Sequence, residues 1–329
     1  MALRKIQRTG GGTFFVSLPK EWAERLGLKR GSVVSVVESA EGGRLVVDPK
    51  YDAERVPQVA TLELSELLDR DIIGKYLLGF DVIRIVSKDQ ISTGQREIVR
   101  QAVRRLVGLE IIEEDYKSIV MQCLLEPASL SPEKILRREY NFAAGMHRDA
   151  VTALIEGDVH LGGNVAERDD EVNRLYFLLV RILRTALRDP RLSERLRISP
   201  LDCLDYRLVA SFVEGIGDQS VQIAETLHSL KGTKLRGGLS EALRILHFTV
   251  FDTHEGALKA LFEHKVGLAE SIRNKRDEIK KLTREVEAQA KSEQDVNIVG
   301  VVVSAAASLG KIYELGVDIA DLVMPELTA

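Results

Sequence analysis

The chain has 329 residues, 45% of them hydrophobic, 29% charged and only 5% aromatic; that length predicts two or three domains, the balance excludes a disordered tail, and the shortage of aromatics favours helices packed through Leu, Ile, Val and Ala. A net charge of -4 excludes a uniformly basic nucleic-acid coat, and two distant cysteines, Cys123 and Cys203, provide neither a disulfide scaffold nor a four-cysteine zinc site. The longest uncharged stretch, residues 296–310, is too short to span a bilayer, and no basic-then-apolar leader opens the chain, so a cytoplasmic location is expected.

The first 50 residues carry nine Lys and Arg against five Asp and Glu, a local +4 that leaves -8 on the remainder. Residues 13–17 are β-rich, and Gly10, Gly11 and Gly12 before them suit a tight turn. Pro19 opens a helical turn over 20–26 that Gly27 ends, and residues 32–37 and 45–47 read as two strands joined across Glu41, Gly42 and Gly43. So short a segment buries too little surface to stand alone, which predicts a partner chain. A phosphate-loop reading of the glycine triplet fails, because no Gly-Lys-Ser/Thr follows it.

The run from Ile6 through Thr13-Phe14-Phe15-Val16-Ser17-Leu18-Pro19-Lys20, followed by Leu26-Gly27-Leu28-Lys29-Arg30-Gly31-Ser32-Val33-Val34, resembles the AbrB/MazE/SpoVT swapped-hairpin DNA-binding domain. The resemblance implies an intertwined dimeric β-barrel that presents a basic surface to DNA. Arg4, Lys5, Arg8 and Lys20 are the candidate contacts, acting mainly by neutralising phosphates.

Residues 58–129 read as a small α/β module. Strands are predicted over 59–64 and 81–86, with a helix over 65–78 between them. Ser92 and Gln95 form a capping box for a second helix, and Gly108 fits the position after its end. A hairpin over 110–114 and 118–125 closes the module. Arg100, Arg104 and Arg105 on the second helix read as a solvated face, and no catalytic constellation is visible.

From residue 132 onward the sequence is helical and repeats itself. His147, Ala150, Ala153, Leu154 and Glu156 recur as His254, Ala257, Ala260, Leu261 and Glu263, a constant offset of 107 residues. Asp170-Glu171-Val172 maps onto Asp277-Glu278-Ile279 at the same offset, and Glu214-Gly215-Ile216-Gly217-Asp218 onto Glu314-Leu315-Gly316-Val317-Asp318 at an offset of 100. Two tandem bundles, each of three helices of roughly 20 to 30 residues, are expected at 132–235 and 239–329, with the lost residues in an interhelical loop. The carboxylates of Glu-x-x-x-Asp project from one helix face and repel each other. With oxygen ligands on a facing helix they would hold a hard or borderline metal.

This half resembles the PhoU family, on Met146-His147-x-x-Ala150, Glu167-x-x-Asp170-Glu171-Val172-Asn173, Glu214-Gly215-Ile216-Gly217-Asp218 and their second-repeat counterparts. The resemblance implies tandem three-helix bundles that bind a divalent or trivalent metal ion (iron, zinc, magnesium or similar), control of phosphate uptake, and a phosphate ABC transporter and sensor kinase as partners. Carried over position by position, the metal ligands fall on Asp169, Asn173, Glu214 and Asp218. In the second repeat Glu314 and Asp318 match, but Arg276 and Lys280 replace Asp169 and Asn173, so metal is expected in the first bundle rather than the second.

His147 and His254 lack a further His or Cys at ligand spacing and read as core residues. A di-iron oxidase needs a Glu-x-x-His pair on each of two helices. Only Glu225-Thr226-Leu227-His228 fits, so no enzyme is expected. The combined expectation is a multidomain, dimeric, cytoplasmic regulator of phosphate uptake: an N-terminal swapped-hairpin β-barrel over 1–50, the α/β module, and C-terminal all-α tandem bundles. The rival is a protein-binding adaptor for the transporter, its barrel serving only to dimerise.

Overall fold

The computed structural model of the chain describes residues 3–38, 43, 45–49, 57–230 and 232–324. Two compact units result, Met1–Val56 and Pro57–Ala329.

In the first unit β1 (Gln7–Arg8) pairs antiparallel with β2 (Phe14–Phe15), Gln7 opposite Phe15. Gly12, at φ 91°, makes the turn, and Thr13 donates its backbone N–H to the Thr9 hydroxyl. Helix α1 (Lys20–Arg25) follows Pro19, whose ring sets the backbone just before the first turn. It ends in a Schellman motif: Gly27 is left-handed at φ 68°, with Gly27 N–H donating to Glu24 O and Leu28 N–H to Ala23 O. Strands β3 (Ser35–Glu38) and β4 (Leu45–Asp48) pair antiparallel. Residues 39–42, Arg44 and Lys50 lie outside the described residues, so the expected turn across Glu41 and Gly42 does too. The first is shorter than the expected 32–37 and starts three residues later, while the second runs one residue past the expected 45–47. Residues 29–32 form a turn instead, with Gly31 at φ 89° and Lys29 N–H donating to the Ser32 hydroxyl.

The expected closed barrel is corrected: among the described residues the unit holds two separate two-stranded hairpins and no closed barrel. One copy leaves both hairpins with unpaired edges, and a swapped barrel closes only with strands from a second copy. Phe14 is 68% exposed and Leu45 69%, and α1 has no buried residue, so the described residues of this unit build no core of their own.

The second unit opens with β5 (Val59–Glu63), α2 (Leu68–Leu77), β6 (Val82–Val86), α3 (Thr93–Arg104), β7 (Leu109–Glu114) and β8 (Ser118–Cys123). The sheet order is β5-β6-β8-β7, with β5 and β6 parallel and joined by α2, and the other pairings antiparallel. The Ser92–Gln95 capping box is present at α3. Gly108 (φ 73°) is confined to glycine, since a Cβ there would lie 2.3 Å from the Leu125 side chain. Ile72, Tyr76, Ile83, Ile85, Val99 and Met121 form the core beneath the helices.

The helical half follows: α4 (Pro132–Glu156), α5 (Val159–Arg188), α6 (Pro190–Leu196), α7 (Pro200–Glu225), α8 (Leu227–Leu230), then α9 (Gly237–Phe262), α10 (Val266–Arg273), α11 (Arg276–Ala290) and α12 (Val296–Asp321). Helices α4, α5 and α7 pack together as one bundle and α9, α11 and α12 as the other, joined through α7 against α12 and α4 against α9. The expectation of three long helices per repeat fails in one place. Where the first repeat has the single helix α5, the second has α10 and α11, broken at Asn274 and Lys275. Asn is a weak helix former, and Asp277 and Glu278 just beyond it favour a new helix start. The residues present only in the first repeat form α6.

Helix α12 also corrects the reading of residues 296–310. The helix runs on to Asp321, and by length and composition alone, at a mean hydropathy of 1.6, it could cross a membrane. Its Val302, Ala305, Leu309 and Ile312 are core of the second bundle. The α/β module is tied to this half by polar contacts. Arg181 of α5, 3% exposed, donates to the carbonyls of Tyr76 and Phe80 at 2.7 and 2.9 Å, and Arg188 donates to Leu78 O at 2.7 Å. Two cations thus meet the carbonyl end of α2.

Candidate functional site

The four carboxylate and amide positions of the first bundle meet across α5 and α7. On α5, Asn173 Nδ2 donates to Asp169 Oδ2 at 2.8 Å, one turn away. That fixes one carboxylate oxygen and leaves the other, Asp169 Oδ1, buried with no hydrogen-bond partner. On α7, Glu214 and Asp218 project one turn apart toward it, and Gly217 lies between them with its Cα–Cβ direction 3.6 Å short of Asp169 Oδ1. The electrostatics are those of crowded acids. Burial, then Asp218 and Asp170, raise the Asp169 carboxyl; burial, then Asp218 and Asp169, raise that of Glu214, against Arg207. Burial raises Asp218. Asp218 makes both Asp169 and Glu214 harder to ionise, Asp169 adds to the effect at Glu214, and burial acts on all three.

An all-oxygen donor set with one buried carboxylate oxygen unpartnered fits a hard cation. The pocket is not drawn into a closed cage: among the described residues no three His, Cys, Asp or Glu side chains converge at ligating geometry. Glu167 and Asp170 are exposed on α5, and Glu171 is paired with Arg174 at 2.7 Å.

The second bundle presents the opposite chemistry at the same place. Arg276 Nη2 meets Glu314 Oε2 at 2.8 Å, and Arg276 opposes the burial, Asp321 and Glu314 that raise the Asp318 carboxyl. Of the two cations that replace Asp169 and Asn173, Arg276 forms an ion pair, and among the described residues Lys280 forms none.

Two features escaped the sequence reading. Glu139 of α4 is wholly buried, with both carboxylate oxygens unpartnered. Burial, then Glu214, push its carboxyl well above the usual range. The signal was its place on the stripe Leu136, Glu139, Ala143, Met146, Ala150, the buried face of α4. The 107-residue offset puts buried Leu246 at the equivalent position.

The second is a line of hydrogen bonds through the contact between α4 and α9. Tyr140 Oη meets His254 Nδ1 at 2.9 Å, His254 Nε2 meets His147 Nδ1 at 3.0 Å, and His147 Nε2 meets His247 Nδ1 at 3.2 Å. Tyr140 and His247 are separated by the same 107 residues as His147 and His254, so the line joins equivalent residues of the two repeats. Burial drives all three imidazoles toward the neutral form, His247 to about 4 and His254 to about 3, and the neighbouring rings and Arg148 add to it at His147. Neutral imidazoles, each donating once and accepting once, are what such a line requires. These are core histidines, as read, but they form a network at the bundle interface.

In the N-terminal unit Arg4, Lys5, Arg8 and Lys20 are all exposed. The Arg8 guanidinium lies 5.6 Å from the centre of the Phe14 ring on the paired strand, and Lys20 pairs loosely with Glu24 at 3.7 Å. On α3, Arg100 is paired with Glu114 at 3.4 Å and Arg105 lies 5.7 Å from the Phe177 ring, leaving Arg104 on the solvated face.

The family models match the chain in two places: a PhoU domain over residues 136–227, and the antidote-toxin recognition domain MazE, a bacterial antitoxin, over residues 7–54. No curated protein matches the sequence significantly. Among solved structures, PhoU from Pseudomonas aeruginosa superposes with a TM-score of 0.52 at 21% identity, over 58% of this chain and 93% of that one. The phosphate transport system regulatory protein PhoU from Streptococcus pneumoniae gives 0.50 at 17% identity, over 58% and 91%. At these identities the likeness is one of fold, and it spans nearly the full length of both relatives. The chain carries a MazE-type antitoxin domain at its N-terminus and a PhoU domain in its helical half.

Proposed function

We infer that the protein is a cytoplasmic regulator of phosphate uptake that binds DNA itself, its helical half acting as the sensor. The observation that carries this reading is the union, in one chain, of a MazE-type domain with a PhoU domain. In the N-terminal unit the uncovered apolar residues favour a second copy as the missing half of a barrel, and a dimer would gather two sets of Arg4, Lys5, Arg8 and Lys20 on one basic face. The helical half, with 31 acidic against 27 basic residues, is a poorer surface for DNA than the basic N-terminal unit and suits metal and protein partners such as components of a phosphate ABC transporter. In the first bundle Asp169, Glu214 and Asp218, with Asn173 as a neutral oxygen donor, would hold a divalent or trivalent cation. The ion would neutralise mutually repelling acids and thereby tighten α5 against α7.

The test is a gel shift of the full chain with the promoter of its own operon and of a phosphate-transport operon. Salt-sensitive binding is expected, weakened for every duplex by Arg8→Ala with Lys20→Ala while the dimer persists. If the wild-type chain binds no duplex even at low ionic strength, the adaptor reading, with the N-terminal unit serving only to dimerise, replaces this one.

A further inference from the structure

The duplicated site is neutralised in the second repeat, and next to it lies a groove of about 770 Å³ between α11, α12 and the Gly215–Gln219 turn of α7. Besides Arg276, which Glu314 holds, three cations line it, Lys280 and Arg284 one turn apart on α11 and Lys311 on α12. None of the three has an ion-pair or hydrogen-bond partner among the described residues. At the repeat offsets these positions are Asn173, Phe177 and Ser211 in the first bundle, so the positive charge belongs to the second repeat alone. The acids of the groove stand toward its ends: Glu314 is tied to Arg276 at one end with Asp318 beside it, and Glu287 lies one turn beyond Arg284 at the other. The middle third is therefore a site for negative charge.

The floor between the cations is apolar. Ile279 and Leu315 supply it, and Gly310 keeps it open, since a Cβ there would meet nothing within 4 Å. At the α7 edge the Gln219 amide oxygen is buried without a hydrogen-bond donor. A ligand that satisfies all three features is multiply anionic at one end, flat and apolar in its body, and carries an N–H or O–H group to give to Gln219. Inorganic phosphate would use only the cations, and a fatty acid would leave Gln219 unpaired.

We propose that the groove between α11 and α12 binds a nucleoside polyphosphate, its phosphates on Lys280, Arg284 and Lys311 and its base on the Ile279–Leu315 floor beside Gln219. The site uses neither the DNA-binding face nor the carboxylates of the first bundle's acidic pocket, although it borders the α7 turn that carries Glu214 and Asp218.

The probe is ATP, titrated calorimetrically into the full chain with EDTA present, so that no metal can bridge the nucleotide to the acidic pocket. Saturable binding at one ATP per chain is expected. Lys280→Ala with Lys311→Ala should weaken it at least tenfold, and Gly310→Leu, which fills open space on a helix face, should block it with the fold intact by circular dichroism. Arg8→Ala with Lys20→Ala should leave the affinity within about twofold of wild type. The proposal is overturned if ATP does not saturate, if Lys280→Ala with Lys311→Ala or Gly310→Leu binds as wild type does, or if tripolyphosphate binds as tightly as ATP, since the floor and Gln219 would then contribute nothing.

Discussion

The two bundles are copies in backbone and opposites in chemistry. At one site the first has Asp169, Asn173, Glu214 and Asp218, and the second Arg276, Lys280, Glu314 and Asp318. The α7 and α12 carboxylates are kept and only the facing helix has changed, which is enough to replace mutual repulsion by an ion pair. A duplicated frame thus lets one copy keep an unsatisfied acidic pocket while the other neutralises its own. The same contrast recurs in the core, where Glu139 lies buried and unpartnered and its counterpart is Leu246.

The largest effect should come from emptying the acidic pocket. Metal analysis of the purified chain is expected to find an ion lost completely in Glu214→Ala with Asp218→Ala and retained in Glu314→Ala with Asp318→Ala. The reverse pattern would break the comparison.

Next in size is acid stability, which tests what the bundles share. His247 and His254 are neutral in the folded chain down to about 4 and about 3, whereas an unfolded histidine takes up its proton near 6.5. The unfolded state therefore binds more protons below that value. Stability is complete above about pH 6.5 and falls as the pH drops toward 4, by about 3 kcal/mol for His247 alone. The charges around the line are Arg148, Arg244 and Glu255. Urea melts at pH 7, 5.5 and 4.5 measure the slope, and His247→Phe should flatten it.

Smaller still is Glu139→Leu, which gives the first bundle the residue the second already has. Removing a buried, unpartnered carboxyl should raise stability by about 1 to 3 kcal/mol, seen as a higher Tm at pH 7. A lower Tm would mean that Glu139 has a partner that the apolar side chain displaces. The smallest change is Arg276→Ala. Both partners of its ion pair are about half exposed, so its loss should cost about 0 to 1 kcal/mol in a chemical melt.

Much of this was legible in the sequence because it rests on local rules or on the repeat. The capping box at Ser92, the glycine after α3, the α/β order of the module and the ion pair at Arg276 all follow from residue types at fixed spacings. Three things were not. The described residues of the N-terminal unit form two separate hairpins, and residue types alone do not say whether such hairpins pair with each other. The break at Asn274 and Lys275 interrupts a hydrophobic pattern that continues through it, and only the restart at Asp277 and Glu278 betrays it. The histidine line was missed because its members come from two helices and are adjacent only once α4 meets α9. At the acidic pocket the sequence put Asp169 and Asn173 on one helix and Glu214 and Asp218 on another, but it could not say which carboxylate oxygen Asn173 would leave unpartnered.

That histidine line has a direction. A hydrogen bond has one donor and one acceptor, so two equivalent residues that bond across a twofold relation cannot remain equivalent. His147 reaches the other bundle with Nδ1, and His254 reaches back with Nε2. The same protons must then point one way along all three bonds, either from Tyr140 toward His247 or back again, and reversing the arrow means moving a proton within every ring. The ends bias the choice: a phenol gives its proton more readily than it takes another, so the arrow runs from Tyr140 to His247. In a fold made by copying one unit, the difference between Tyr140 and His247 is therefore enough to give the whole interface a polarity that neither copy has by itself.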